Sequence, residues 1–259
     1  MIELNFKMPL ARNLVQLLVF FLCAGVSLCS ASHAQERCSV EVKLLLSPAQ
    51  IQTARSTLDF KNEMAGFVYF FDTDSLDLLA NGVILRLRRG LDSDLTIKLR
   101  LPKGKKFFAT AGDHEDFKCE KDFTGDGAQL SYSIRRKYTA EQLPETGGGI
   151  ARLLSQGQKK LLQEAHVFID WSRVKRVVEI KSTTWETRAQ TGTRKLTLEA
   201  WEWPDGNLLE ISTRTKPDDG SSTFAELQEL ASANGLSLSS IQGFKTSIVL
   251  KSVALAKAK

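Results

Sequence analysis

Charged and apolar side chains alternate along one short segment of this chain after another. In a strand, successive side chains point to opposite faces, so residues two apart share a face. Residues 39–46 (SVEVKLLL) put Ser39, Glu41 and Lys43 on one face, with Val40, Val42 and Leu44 on the other. Segments 83–89 and 94–101, joined by Gly90-Leu91-Asp92-Ser93, read as a hairpin with Arg86 beside Arg88 and Lys98 beside Arg100. Segment 115–123 gathers Asp116, Lys118, Glu120 and Asp122 opposite Phe117, Cys119 and Phe123. The same sorting groups Lys175, Glu179 and Lys181 in 174–183, Lys195, Thr197, Glu199 and Trp201 in 194–202, and Glu210, Ser212 and Arg214 in 207–214.

Two architectures accommodate such strands. One is an open antiparallel sheet with its charged face in solvent. The other is a closed barrel with its charged face inward and its apolar face under helices. Arg and Lys recurring at spacing two on neighbouring strands favour the barrel, because like charges so crowded need an anion or carboxylates between them. A barrel lined in this way calls for a compact, polyphosphate-like anion.

The remaining segments fit an α+β chain. Residues 49–58 read as helix, 66–72 (GFVYFFD) as an aromatic strand, and 76–80 as a short helix closed by Asn81-Gly82. A helical region is expected around 140–165, interrupted by Gly147–Gly149, and a further strand at 166–171. Residues 223–234 form an amphipathic helix stopped by Gly235, and a second helix fits near the C-terminus.

The first 34 residues depart from this pattern. Lys7 and Arg12 precede an apolar run from Leu14 to Leu28, and Ser32-His33-Ala34 supplies small residues for a signal peptidase, with cleavage expected after Ala34. An apolar run of about 15 residues is short of the roughly 20 needed to span a bilayer. A periplasmic or extracellular location follows, with residues 35–259 as one domain. Cleavage would remove Cys23 and Cys29, leaving Cys38 and Cys119, which in an oxidising compartment read as one disulfide. It would also take the formal charge from +5 to +4, since the leader holds Lys7 and Arg12 against Glu3. So small a surplus does not imply a nucleic-acid partner.

Several of these letters resemble the CYTH superfamily, the triphosphate tunnel metalloenzymes. The run Tyr69-Phe70-Phe71-Asp72-Thr73-Asp74-Ser75-Leu76, continuing through Asn81-Gly82 to Arg86-Leu87-Arg88-Arg89, is similar to that family's aromatic strand, Asp-Thr, short helix, Gly and Arg-x-Arg strand. Thr96–Arg100 resembles the next strand, Val40-Glu41-Val42-Lys43 sits at the opening Glu-x-Glu-x-Lys signature, and 196–214 looks like the late strand pair. The resemblance implies an eight-stranded antiparallel β-barrel tunnel that binds triphosphate or a related organic phosphate with Mg or Mn. Carried over, Lys43, Arg86, Arg88, Lys98 and Arg100 bind phosphate, joined by Lys181 and Arg214 from the charged faces. Glu41, Glu120, Glu199 and Glu210 form the acidic, metal-holding set, and Glu41 and Lys43 carry catalysis.

Two positions depart from the family pattern. Ser39 replaces the first Glu of the opening signature, and Ser212 ends a late Glu-x-Glu; Asp116, Asp122 or Glu179 could compensate from other strands. Two functions therefore compete: metal-dependent hydrolysis of tripolyphosphate or a related phosphoanhydride, and phosphate binding without turnover. A β-domain whose polar strand faces lie in solvent is the third reading. His33, His114 and His166 have no metal-ligand spacing.

Overall fold

The structure is a computed structural model, and it describes residues 38–90, 93–100, 116–139, 142, 149–188 and 194–257. The expected leader and most of 140–148 lie outside the described residues.

Nine strands close into one barrel: β1 (Ser39–Leu46), β2 (Lys61–Asp72), β3 (Val83–Arg89), β4 (Asp94–Arg100), β5 (Phe117–Thr124), β6 (Gly127–Lys137), β7 (Lys175–Arg188), β8 (Lys195–Trp203) and β9 (Gly206–Thr215). Their order around the barrel is β1-β5-β6-β4-β3-β2-β7-β8-β9, and β9 pairs with β1 to close it. The α+β barrel with flanking helices is as expected, but nine mixed strands replace the eight antiparallel ones. An odd number of strands cannot alternate direction all the way round a closed barrel, so a parallel junction is required. It falls between β1 and β5, which share a short register from Ser39 opposite Glu120 to Val42 opposite Phe123. Cys38 and Cys119 are bonded across this junction, reinforcing a parallel pairing that is intrinsically the weaker kind.

Two element assignments change. Strand β6 is additional to the strands expected from the sequence, although Leu130, Tyr132 and Ile134 alternate with Ser131, Ser133 and Arg135. Residues 166–171 form turns instead of a strand. Val167, Ile169 and Trp171 do turn inward alternately onto the outer core, but every described strand already has two neighbours and offers them no free edge.

Two apolar layers cover the outside of the barrel. Leu85, Leu87, Leu95, Ile97, Leu99 and Ile134 pack beneath a turn at Ile150–Leu153 and helix α3 (Gln156–Glu164). Ser155 and Gln158 form a reciprocal capping box at the start of α3, and the buried Gln158 amide also donates to the Leu95 and Ile134 carbonyls. On the other side, Val40, Val42, Leu44, Leu198 and Ile211 lie under α1 (Ile51–Thr57) and α4 (Gly220–Ala233).

The Asp-Thr sequence after β2 has a local role. Buried Asp72 accepts hydrogen bonds from the backbone N–H groups of Thr73, Leu78 and Leu79, fixing the one-turn helix α2 (Asp77–Ala80). Gly82, at φ +72°, then lets the chain pass the Arg100 carbonyl, where a Cβ would come within 2.3 Å.

The last helix, α5 (Lys245–Lys257), occupies one end of the barrel interior. Its Val249, Leu250 and Val253 pack against the inward-facing Leu45, Phe70, Ile84, Trp201 and Leu208. Gln242 pins the preceding loop by bonding both the N–H and the carbonyl of Leu45. Side chains of this size contribute about 1.5–3 kcal/mol each when fully buried.

Candidate functional site

Between this apolar plug and the opposite mouth, the barrel wall is charged. Register fixes which side chains meet: Glu41 lies beside Asp122 on β5 and Arg214 on β9, Lys43 beside Ser212, Lys98 beside Ser133, and Arg86 beside Thr96. The structure thus brings Glu41, Lys43, Arg86, Arg88, Lys98, Arg100, Glu120 and Arg214 onto one inner surface.

Asp122 is the hub of the middle layer, with its side chain wholly out of solvent. Its Oδ1 accepts from Lys43 Nζ at 2.7 Å and its Oδ2 from Lys98 Nζ at 2.8 Å, while Arg100 lies 3.8 Å away. Lys43 also meets Glu41 at 2.9 Å, and Glu120 meets Lys98 at 3.4 Å and Arg214 at 3.6 Å. Burial alone would raise the pKa of Asp122, but the three cations outweigh it and hold the carboxyl well below its usual range. Burial is likewise outweighed at Glu41 by Lys43, and at Lys43 by Asp122 and Glu41, so both remain charged at neutral pH.

The other cations are less well matched. Burial lowers the pKa of Lys98 and of Arg100 despite their nearness to Asp122, and Lys43 adds repulsion at Lys98. Arg86 makes no ion pair among the described residues. Its polar contact is a 3.5 Å approach to Thr96 Oγ1, its Nε is buried without an acceptor, and burial followed by repulsion from Arg88 lowers its pKa. Arg88 is held by buried Asp94, at 2.8 Å from Nε and 2.5 Å from a terminal nitrogen. Arg135 of β6, in register with Thr96, also has a buried Nε with no partner.

The expected metal set divides in two. Glu41, Glu120 and Asp122 each offer a carboxylate oxygen within 4.8 Å of the others, an all-oxygen set suited to Mg or Mn. Glu199 and Glu210 do not join them. They face each other directly across β8 and β9, and Lys245 of α5 sits between, paired with both, at 2.8 Å from Glu210. Ser182 and the Trp201 indole N–H donate to the other Glu199 oxygen at 2.9 and 2.6 Å. Burial opposes the Glu199 charge, yet Lys245 and these donors hold its pKa at about 2.

Lys181 is a correction. Strand β7 turns Ile180, Ser182 and Thr184 inward, so Lys181 stands on the outer face opposite Phe67 and Glu202, with a 62 % exposed side chain. Glu179 points the same way and pairs with Arg176, and Asp116 is exposed before β5 begins. Sorting by alternation chose the wrong face here because β7 carries charge outside and apolar residues at its plugged end inside. Asp94, Arg135 and Lys245 join the site without being among the residues expected from the sequence. Alternation within 94–100 marks Asp94 as a neighbour of Lys98, whereas nothing local in sequence connects Lys245 with Glu199 and Glu210.

A closed barrel lined with Arg, Lys and carboxylates is the architecture that the resemblance to the CYTH triphosphate tunnels implies. The chain is similar to the solved structure of HpAC1 from Hippeastrum, described as a proposed adenylyl cyclase with a dominant triphosphatase activity, at TM-score 0.58 and 17% identity over 82% of this chain and 95% of that one. It is also similar to a proposed adenylate cyclase from Bacillus halodurans, at TM-score 0.54 and 14% identity over 81% of this chain and 96% of that one. Identities this low speak for the shared fold. No protein-family model matches the sequence, and no curated protein is similar enough to count as a relative.

Proposed function

We propose that this protein binds a linear phosphoanhydride of the tripolyphosphate type inside the barrel and hydrolyses it with Mg or Mn held by Glu41, Glu120 and Asp122. The observation that carries the binding claim is Arg86, a guanidinium in the barrel wall with an orphaned Nε and, among the described residues, no carboxylate partner, on the same inner surface as Lys98 and Arg100. Burial disfavours all three charges, and a polyanion among them would reverse that. The triphosphatase activity described for the Hippeastrum protein of the same fold supports this ligand class.

Each side chain then has a separate task. Arg86 and Arg88 grip phosphoryl oxygens nearer the open mouth, and Lys43, Lys98 and Arg100 neutralise those deeper in the barrel. Arg214, 65 % exposed at the rim, meets the incoming anion. Lys43 remains an ammonium and acts as a fixed positive charge; Glu41 remains a carboxylate and acts as an acceptor and ligand. When bound, the divalent ion polarises a phosphoryl oxygen and acidifies a water molecule.

A second reading, phosphate binding without turnover, is favoured by Ser39, Ser212 and the Lys245 pairing, which together reduce the carboxylates open to metal. Calorimetric titration with tripolyphosphate, followed by a phosphate-release assay with Mg or Mn, separates the two. Metal-dependent release supports hydrolysis, and binding with no release under either metal supports the second reading. An absence of binding refutes both.

We also place the protein outside the cytoplasm, supported by the apolar leader and the bonded Cys38 and Cys119. A mature N-terminus other than Gln35 in a fractionated preparation would contradict the expected cleavage.

A further inference from the structure

Glu199 and Glu210 are direct cross-strand neighbours, and two carboxylates so placed repel unless a cation lies between them. Glu210 is 4 % exposed, so solvent cannot screen that repulsion. The cation present is the chain's own Lys245 ammonium, bonded to both acids and seated over the Trp201 ring at 4.5 Å from its centroid. Lys245 is the first residue of α5, an end of a helix where positive charge is disfavoured by the helix dipole. Helix formation therefore does not account for a lysine here, and the acidic pair does. One ammonium does not saturate the site, because Glu210 Oε2 remains buried without a partner.

We propose that Lys245 is a built-in cation that holds the Glu199–Glu210 pair in place of a divalent ion, so that this protein carries one divalent site where its inner carboxylates could otherwise form two. The remaining site is Glu41, Glu120 and Asp122, a set of three carboxylates where a divalent ion would compete with Lys43 and Lys98, and this count rests on the metal reading under Proposed function. The same ion pair ties α5 into the barrel end, so metal number and closure of that end depend on one side chain. Removing the ammonium frees oxygens of both glutamates, which with the orphaned Glu210 Oε2 make an oxygen-only pocket of the kind Mg or Mn takes.

The test is Mn2+ binding to the full-length mature protein, counted by electron paramagnetic resonance, for wild type, Lys245→Met and the Lys245→Met/Glu199→Gln double variant. One ion is expected in wild type, two in Lys245→Met, and one again in the double variant. Equal counts in wild type and Lys245→Met would overturn the proposal, whatever that count is. A count of none in wild type and one in Lys245→Met would refute the Glu41, Glu120 and Asp122 site while sustaining the role of Lys245. Should Lys245→Met unfold without metal, the proposal requires Mn2+ to restore a cooperative melting transition and Lys245→Arg to fold without it. Failure of Mn2+ to raise the melting temperature of Lys245→Met more than that of wild type counts against the proposal.

Discussion

Arg86→Met separates binding from stability in a way that follows from the pairing of each arginine. In the free protein, Arg86 has no carboxylate partner among the described residues, and its charge is disfavoured by burial and by Arg88. Replacing it with an apolar side chain of similar reach should raise stability by about 1 kcal/mol, or roughly 3 °C in melting temperature for a domain of this size. A charge-assisted hydrogen bond to phosphate is worth about 1.5–3 kcal/mol, so losing one should weaken tripolyphosphate about 10- to 100-fold. Arg88→Met is the contrast. Asp94 is 1 % exposed and among the described residues would keep only the Thr96 hydroxyl, at 2.8 Å, so this variant should lose about 2–3 kcal/mol of stability. Calorimetric titration and thermal melting of the two variants provide the measurements. Unchanged tripolyphosphate affinity in Arg86→Met, or a melting temperature lowered as far as in Arg88→Met, would refute the reasoning.

Three further outcomes are expected. Cys38 and Cys119 are 81 residues apart, so replacing both with serine should cost about 4 kcal/mol by loop entropy, and denaturant unfolding would measure the loss. Glu199, faced by Lys245, Glu210, Ser182 and Trp201, has its pKa lowered to about 2 in the folded state, from an ordinary value near 4.5. Its stabilisation, on the order of 3 kcal/mol, should be complete above about pH 4.5 and vanish as pH falls through about 2; a stability profile unchanged by Glu199→Gln over that window would contradict this. Lys181→Ala should leave tripolyphosphate affinity unchanged, because that side chain stands outside the barrel in an exposed pair with Glu202; a tenfold loss would put it back in the site.

Much of the wall was legible because a strand's two-residue period is local. Glu41 with Lys43, Arg86 with Arg88, and Lys98 with Arg100 share faces by backbone geometry alone, and the resemblance carried by Tyr69–Arg89 pointed to a barrel. Alternation does not say which face is inner, which is why Lys181 was placed wrongly: where α5 fills the barrel, the inner face of β7 is apolar. Nor does it count strands: Gly127–Lys137 folds back on β5 as a tight local hairpin, but it is built into the barrel by pairing with β4 through contacts that no short window contains.

By itself, the sequence determined the period, the charge of the strand faces and the pair of cysteines able to bond. Tertiary structure decided the partners. Only barrel closure sets Asp122 between Lys43 and Lys98, leaves Arg86 without a carboxylate, and brings Lys245 from the C-terminal helix to Glu199 and Glu210. The physical reason is that ion pairing in a buried interior depends on distances of a few ångströms between groups far apart in the chain.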